Sequence, residues 1–385
     1  MKVCKRCGRK GLFLQLNSEG VCTKCIQAEE ESKRIRLEKE AEEQRLRLER
    51  EAEMRRILLE QEKQRKEQEL EALYTEMCSL YNNLKTIDLC DGLEVVSNKY
   101  SSCERFVRLC DEILQNKDFI EMFGERIEKQ HPFGFYPYVS GNDRFGKYMN
   151  DRRQAVDSLR WDCQRFIKNS ENFEQKLKEL PHVPISLNTC NYVPDEDPDY
   201  SNVKFFNVTK STPLGKVCDF IAVDVETTGL SAYKAEITQL SAIKFRDFEP
   251  VDCFSTYIKP KKAILQSTIS INGITDETVK DAPSIEQVVA SFRAYIGDKL
   301  PIVGHNLIFD LRFLCNNACI TLSTKRKFYD TLMLSKKAYN SESHKLDYLD
   351  KAALRIDRKS AHDALSDCLV TGMLFHDICE TRTSD

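Results

Sequence analysis

Three short stretches near the C-terminal end of this 385-residue chain place acidic residues inside patterns that otherwise predict a buried core. They read DVETTGL at residues 224–230, HNLIFDLRFL at 305–314 and HDALSD at 362–367. Because apolar residues surround each of them, folding would bury several like charges close together. Such burial is strongly unfavourable unless cations compensate the charges. The three stretches therefore predict a divalent-metal site rather than an ordinary core.

The first stretch follows the apolar run FIAV at residues 220–223, which predicts a short buried strand. Side chains alternate across a strand, so Asp224 and Glu226 should lie on one face near its C-terminal end. Gly229 then predicts a turn. Two neighbouring carboxylates repel each other, and a metal ion between them removes the repulsion. The pair alone is weak support, because edge strands carry the same pattern by chance.

The second stretch follows LPIVG at residues 300–304, which predicts another buried strand ending in a turn. The chain then passes through His305 and Asn306 into an amphipathic helix. Asp310 should lie in or near the first turn of that helix. A helix N-terminus also favours a carboxylate through its dipole, so Asp310 alone leaves both interpretations open.

In the third stretch, His362 and Asp367 are five residues apart near the start of a further predicted helix. Five helical residues correspond to about 140° of rotation, so the two side chains would diverge within one helix. We therefore expect His362 in the approach loop or first turn and Asp367 in the helix proper. Ser360 and Asp363 have the spacing of a capping box, which predicts a helix start near them.

Together these motifs resemble those of the DnaQ-like 3′–5′ exonuclease superfamily, in the branch called DEDDh after its four acids and a histidine. Three further signatures agree with it: INGIT at 271–275, DTL at 330–332 and HKLD at 344–347. The resemblance covers roughly residues 213–379, less than half of the chain. One departure is Asn272, where many relatives carry a histidine. It lies outside the catalytic set, so we expect it to affect substrate fit at most.

The resemblance implies an α/β fold, with a ribonuclease-H-like mixed sheet flanked by helices, and hydrolysis of phosphodiester bonds at nucleic-acid 3′ ends. Asp224, Glu226, Asp310 and Asp367 are hard oxygen donors, which suit Mg²⁺ or Mn²⁺. Two such ions about 3.5–4 Å apart would be expected. His362 would act as the general base, since histidine exchanges protons near neutral pH.

The resemblance also implies contacts with the 3′ end of the substrate. The backbone around Thr227 and Thr228 would meet the terminal nucleotide, and His305 and Asn306 would line the path of the strand. Leu230 would wedge beside the terminal base, although a core position at the turn is equally compatible with the sequence.

Three functions remain open at this point. The first is a DNA 3′–5′ exonuclease with a role in repair or replication, and the second is an exoribonuclease that trims RNA. The third is an adaptor that recruits partners and whose nuclease activity is incidental. The net charge of −3 gives no overall signature of a nucleic-acid binder.

Residues 1–26 are predicted to form a zinc ribbon. They carry two CxxC pairs, Cys4 with Cys7 and Cys22 with Cys25, spaced for tetrahedral zinc. The alternative is a pair of redox-active or disulfide-forming units. The N-terminus lacks the apolar segment of a secretory signal, and the other cysteines are scattered among apolar positions. Both observations favour Zn²⁺ in a reducing cytoplasm.

Residues 27–72 form a charged segment without glycine or proline, in which opposite charges recur at four-residue spacing, as in Glu29 with Lys33. The segment predicts a long helix. Its leucines do not keep a clean heptad, so a single solvated helix and a coiled-coil dimer are both open. Either form would serve as a spacer, or as an arm for self-association or for a protein partner.

The remaining boundaries follow from composition. Residues 73–180 predict a helical region of unknown role, 181–213 a linker with an acidic run at 195–199, and 214–380 the exonuclease domain. Aromatic and basic residues at 131–148 would suit either stacking on single-stranded nucleic acid or a packed loop. No apolar run reaches transmembrane length, so no membrane contact is expected.

Overall fold

The computed structural model describes residues 1–84, 92–120, 141–189, 200, 203–322 and 325–383. The chain divides into two compact units, Met1–Cys78 and Ser79–Asp385. Within the described ranges, no helix is both long enough and apolar enough to cross a membrane.

The first unit begins with a short antiparallel hairpin of β1 (Lys2–Val3) and β2 (Lys10–Gly11). Helix α1 (Thr23–Leu84) begins inside the second CxxC pair and continues past the predicted end at residue 72. It runs without interruption because no glycine or proline lies between residues 21 and 91. The expected ion pair of Glu29 with Lys33 forms at 3.4 Å. Whether α1 is single or part of a coiled coil stays a prediction.

The second unit is built on a mixed sheet whose order, in the described residues, is β5-β4-β3-β6-β7. Its strands are β3 (Phe220–Thr227), β4 (Ile237–Arg246), β5 (Glu249–Tyr257), β6 (Ile302–Gly304) and β7 (Phe328–Asp330). β3, β4 and β5 pair antiparallel, whereas β6 and β7 run parallel to β3. β3 is therefore the central strand, at the point where the sheet changes from antiparallel to parallel.

Helices cover both faces of this sheet. In chain order the helices of the second unit are α2 (Leu93–Gln115), α3 (Gly141–Glu179), α4 (Gln266–Asn272), α5 (Asp276–Val279), α6 (Ile285–Ile296), α7 (Leu307–Asn316), α8 (Thr331–Ala338), α9 (Leu346–Ala352) and α10 (Ala364–Thr383). The predicted fold class, a ribonuclease-H-like mixed sheet flanked by helices, is confirmed.

The alternation of side chains along β3 divides the core into two layers. Phe220 and Ala222 pack in the cluster that contains the apolar face of α10. Ile221 and Val223 face the opposite cluster, which contains α6 and α7. Asp224 continues the even-numbered series and therefore lies on the α10 side.

The stretch predicted to be a linker, 181–213, contacts the sheet in its described residues. The N–H of Cys253 on β5 donates to the carbonyl of Pro181 at 2.9 Å. The N–H of Phe206 donates to the carbonyl of Phe328 on β7 at 2.8 Å. Val208 is buried in the α10-side cluster. These segments extend both edges of the sheet, which a free spacer would not do. The acidic run at 195–199 lies outside the described residues.

The middle region is helical where it is described, as predicted. Its helices α2 and α3 pack on each other around Val96, Cys163 and Phe166. The longer of the two, α3, begins at Gly141 and ends at Glu179. Residues 131–140 of the aromatic-rich stretch lie outside the described ranges, so neither interpretation of that stretch is tested.

Candidate active site

Two elements bring the first two acidic motifs together. Asp224 and Glu226 lie near the C-terminal end of β3, where the pairing with β4 shifts register after Glu226. Asp310 lies in the first turn of α7, and its Oδ1 accepts a hydrogen bond from the N–H of Val225 at 3.1 Å. This hydrogen bond holds the start of α7 next to Val225, which lies between Asp224 and Glu226 on β3.

The third motif lies at the start of α10. His362 is exposed and precedes the helix in the left-handed region, at φ 61°, whereas Asp367 is buried in its first turn. The expected capping box of Ser360 and Asp363 was wrong in detail. Asp363 itself caps the helix, because its Oδ1 accepts from the N–H of Ser366 at 3.0 Å.

A buried glutamine anchors this helix start to the sheet. Gln239 on β4 donates from Nε2 to Asp363 Oδ2 at 2.9 Å and accepts at Oε1 from the N–H of Ala364 at 3.2 Å. Gln239 could not be predicted as a site residue, because a polar residue in an apolar strand gives no sign of its partner. These bonds locate His362 relative to the end of β3.

The five residues taken from the three motifs lie together in the fold. One ligand atom each from Glu226, His362 and Asp367 lies within 4.8 Å of the other two. Asp224 and Asp310 adjoin them. After burial, the charges of Asp310, Asp367 and Glu226 raise the pKa of Asp224, and the charge of Glu226 raises the pKa of Asp310. The result is a cluster of four carboxylates with one exposed imidazole beside it.

Burial shifts the pKa of each of the four carboxylates upward. Burial, followed by the charges of Asp310 and Asp367, raises the pKa of Asp224 well above its usual range. Burial likewise raises the pKa of Glu226 to about 8. Burial is also the main cause of the raised pKa of Asp310 and Asp367. A divalent cation would reverse these shifts by favouring the charged forms.

The positively charged side chain of Arg358 contacts this cluster, and its position could not be predicted from the sequence. Arg358 is almost fully buried, donates from Nε to Asp350 Oδ2 at 2.8 Å, and pairs through Nη1 with Asp367 Oδ1. Burial lowers the pKa of Arg358, but the two carboxylates outweigh this effect and raise it. In the sequence, an arginine in the polar run RIDRKS indicates a solvated loop.

Asn272, which was expected outside the catalytic set, contacts one member of the cluster. Its Nδ2 donates to Glu226 Oε2 at 3.2 Å. This hydrogen bond favours the ionised carboxylate and partly offsets the effect of burial on the pKa of Glu226. Asn272 therefore contacts a candidate metal ligand directly.

The predicted substrate-contacting residues on the β3 side differ in accessibility. Leu230 is 88% exposed, so it is not a core residue. Thr227 is buried, and its Oγ1 donates to the carbonyl of Gly229 at 2.7 Å. The N–H of Thr228 donates to the carbonyl of Glu236 at 2.8 Å, so a substrate would meet it only if that bond broke.

The other two predicted contacts follow β6. His305 is half-buried, its Nδ1 lies 2.9 Å from Thr331 Oγ1, and burial lowers its pKa to about 4, which keeps it neutral at neutral pH. Asn306 is exposed in the left-handed region, and its N–H donates to Asp330 Oδ1 at 3.0 Å.

A separate group of cysteines lies in the first unit. The thiols of Cys4, Cys7, Cys22 and Cys25 all lie within 4.8 Å of one another. The Sγ atoms of Cys7 and Cys22 are 3.8 Å apart, which is about the edge length of a tetrahedron with 2.3 Å Zn–S bonds. The N–H groups of Cys7 and Cys22 lower the pKa of Cys4 to about 6, which favours the thiolate. The donor set and its geometry fit zinc.

Comparison with known proteins agrees with the motifs. The model of the RNase_T exonuclease family matches residues 221–375. The chain is 37% identical over 160 residues to the PolC-type DNA polymerase III of Halalkalibacterium halodurans, a match that covers 40% of this chain and 11% of that protein. It is 32% identical over 206 residues to that of Thermotoga petrophila, covering 53% and 14%.

Among solved structures, exonuclease X in complex with 5′ overhanging duplex DNA is 25% identical, with a TM-score of 0.35, and the match covers 42% of this chain and 92% of that one. The chain spans only 11% and 14% of the length of the two PolC-type proteins. The family match includes all three acidic motifs. Residues 221–375 therefore form an exonuclease domain of the DnaQ-like, DEDDh superfamily.

Proposed function

We propose that the protein is a metal-dependent 3′–5′ exonuclease that releases nucleotides from the 3′ ends of DNA. The observation that carries this proposal is the convergence of four carboxylates and an exposed histidine at the end of the central strand. We propose DNA rather than RNA as the substrate, because the PolC-type relatives of this chain are DNA polymerases by name.

Asp224, Glu226, Asp310 and Asp367 would hold two Mg²⁺ or Mn²⁺ ions, for which an all-oxygen donor set is suited. The raised pKa values of these acids support the assignment, because perturbed acids cluster at functional sites. When bound, the ions would activate the attacking water and stabilise the charge that develops on the phosphate.

His362 would accept the proton of the attacking water. Its side chain is exposed and lies in the same group as Glu226 and Asp367. Histidine suits this role because it exchanges protons near neutral pH. His305, in contrast, is half-buried and neutral, so it suits substrate contact better than proton transfer.

The 3′-terminal nucleotide would bind beside the turn that follows β3. Leu230 is exposed there and would pack against the terminal base, while Thr227 and Thr228 would border the same end of the strand. His305 and Asn306 would contact the backbone of the substrate.

In the first unit, Cys4, Cys7, Cys22 and Cys25 would hold one structural Zn²⁺ ion. Thiols kept free for the metal agree with the predicted cytoplasmic location, where disulfides are rare. The ribbon and α1 would then provide a surface for a protein partner or for self-association.

The decisive experiment compares the digestion of 3′-labelled single-stranded DNA, duplex DNA and RNA, with Mg²⁺ or Mn²⁺, by the whole protein. An Asp310→Asn variant is the control for contaminating nucleases. Release of single nucleotides from labelled DNA supports the proposal, and preferred release from RNA would instead assign an exoribonuclease. If neither substrate is cleaved by the wild type, the adaptor role takes the place of the proposal.

A further inference from the structure

The loop at residues 354–359 connects α9 to the approach to His362 and carries Arg358. The guanidinium of Arg358 points inward to Asp350 and Asp367, and all three side chains are buried. The orientation of Asp367 therefore depends on where this loop holds Arg358.

Helix α3 binds the backbone of the loop on both sides of Arg358. Ser170 Oγ accepts a hydrogen bond from the N–H of Asp357 at 2.9 Å. Glu174 Oε1 accepts one from the N–H of Lys359, also at 2.9 Å. Ser170 and Glu174 are one helical turn apart, so one face of α3 holds the two residues that flank the arginine.

Helix α2 and a third residue of α3 add two further contacts. The N–H of Leu93, the first residue of α2, donates to Asp357 Oδ2 at 2.7 Å, so the loop caps this helix. The carboxylate of Asp357 lies close to the backbone of Gly92, since a Cβ added there would lie 3.2 Å from the same oxygen. Asn169 Nδ2 donates to the carbonyl of Leu354 at 3.2 Å.

We propose that the α2–α3 pair is a positioning clamp for the third acidic motif. It fixes the 354–359 loop, the loop fixes Arg358, and Arg358 orients Asp367 for metal binding beside His362. The proposal rests on the proposed function, in which Asp367 is a metal ligand. It gives the helical middle region a role in the catalytic unit, with Ser170, Glu174 and Arg358 as positioning residues.

The test uses Glu174→Ala in the whole protein, because Glu174 lies near the surface and its removal should leave the fold intact. Two measurements are made: the Mn²⁺ dissociation constant by calorimetry, and kcat and KM on 3′-labelled single-stranded DNA. We expect Mn²⁺ binding weaker and kcat lower by about tenfold, with KM for DNA nearly unchanged, as is typical when an outer partner of a metal ligand is lost. Ser170→Ala should give the same pattern.

Two control variants separate positioning from a general loss of stability. Glu174→Gln keeps an acceptor oxygen for the N–H of Lys359, so its Mn²⁺ dissociation constant and its kcat should be those of the wild type. Lys176→Ala removes the contact of α3 with Glu249 on β5, a 2.8 Å ion pair away from the loop, and should leave both values unchanged.

The proposal is overturned if folded Glu174→Ala and Ser170→Ala bind Mn²⁺ and turn over DNA as the wild type does. It is also overturned if Lys176→Ala weakens Mn²⁺ binding as strongly as Glu174→Ala. If the wild type binds Mn²⁺ but cleaves no nucleic acid, the proposed function fails, whereas the calorimetric comparison still decides the clamp.

Discussion

In the absence of metal, Glu226 should make the stability of the protein depend on pH, and Glu226→Gln should remove that dependence. Burial raises the pKa of Glu226 from 4.5 to about 8 in the folded state. Below about pH 4.5, Glu226 is protonated in both the folded and the unfolded state, so its raised pKa does not reduce the free energy of unfolding. Stability then falls as the pH rises towards 8, since the unfolded chain ionises more readily than the folded one.

The size of the effect follows from the shift. One pKa unit corresponds to about 1.4 kcal/mol, so the whole shift sets an upper limit of about 5 kcal/mol above pH 8. Glu226 keeps some contact with solvent, which screens the interaction, and we therefore expect about 2 kcal/mol. Glutamine has nearly the same shape and can still accept from Asn272, so the variant should lose only the penalty for charge.

The assay is thermal unfolding of the wild type and Glu226→Gln in chelator at pH 4.5 and pH 8.5. At pH 8.5 the variant should melt about 4–8 °C higher than the wild type, whereas at pH 4.5 the two should nearly coincide. Adding Mg²⁺ at pH 8.5 should stabilise the wild type more than the variant. Glu171→Gln, at an exposed position on α3, is the matched control. A difference between wild type and Glu226→Gln that is the same at both pH values would refute the reasoning.

Three further predictions concern the metal sites and the base. Asp310→Asn should abolish Mg²⁺-dependent release of labelled nucleotides, because a buried candidate ligand is lost; wild-type release would contradict its assignment. His362→Ala should lower kcat by about 10²–10⁴-fold while calorimetry shows unchanged Mn²⁺ binding, and an unchanged kcat would rule out the general base. Cys4→Ser should lose bound zinc in elemental analysis, since structural zinc stabilises its own fold, but should keep cleaving short oligonucleotides; full zinc content in the variant would exclude Cys4 as a ligand.

The parts of the site that the sequence predicted depend on local periodicity. The period of two in residues 220–226 determines that Asp224 and Glu226 share a face, whatever the rest of the chain does. Likewise, the apolar pattern after Asn306 predicts a helix with Asp310 in its first turn, as observed. Both statements concern neighbours along the chain, for which sequence carries the information directly.

The parts that the sequence did not predict depend on contacts between distant segments. Arg358 lies in a polar run and is buried only because α3 holds the loop that carries it. The stretch 181–213 has the composition of a linker, yet it pairs with both edges of the sheet through backbone groups. Backbone pairing leaves almost no trace in composition, because every residue except proline carries the same donor and acceptor.

The charge balance of the site would account for the buried Arg358 and for the two proposed metal ions. Asp350 and the four candidate ligands carry five negative charges when all are ionised, and the buried Arg358 neutralises one of them. One divalent ion would still leave an excess of negative charge in a buried site, whereas two would balance it. The arginine pairs with Asp367, so it holds that carboxylate in place by a contact that does not itself need metal. The proposed clamp and ions would then act in sequence: the helices would fix Arg358, Arg358 would orient Asp367, and the ordered carboxylates would bind the ions.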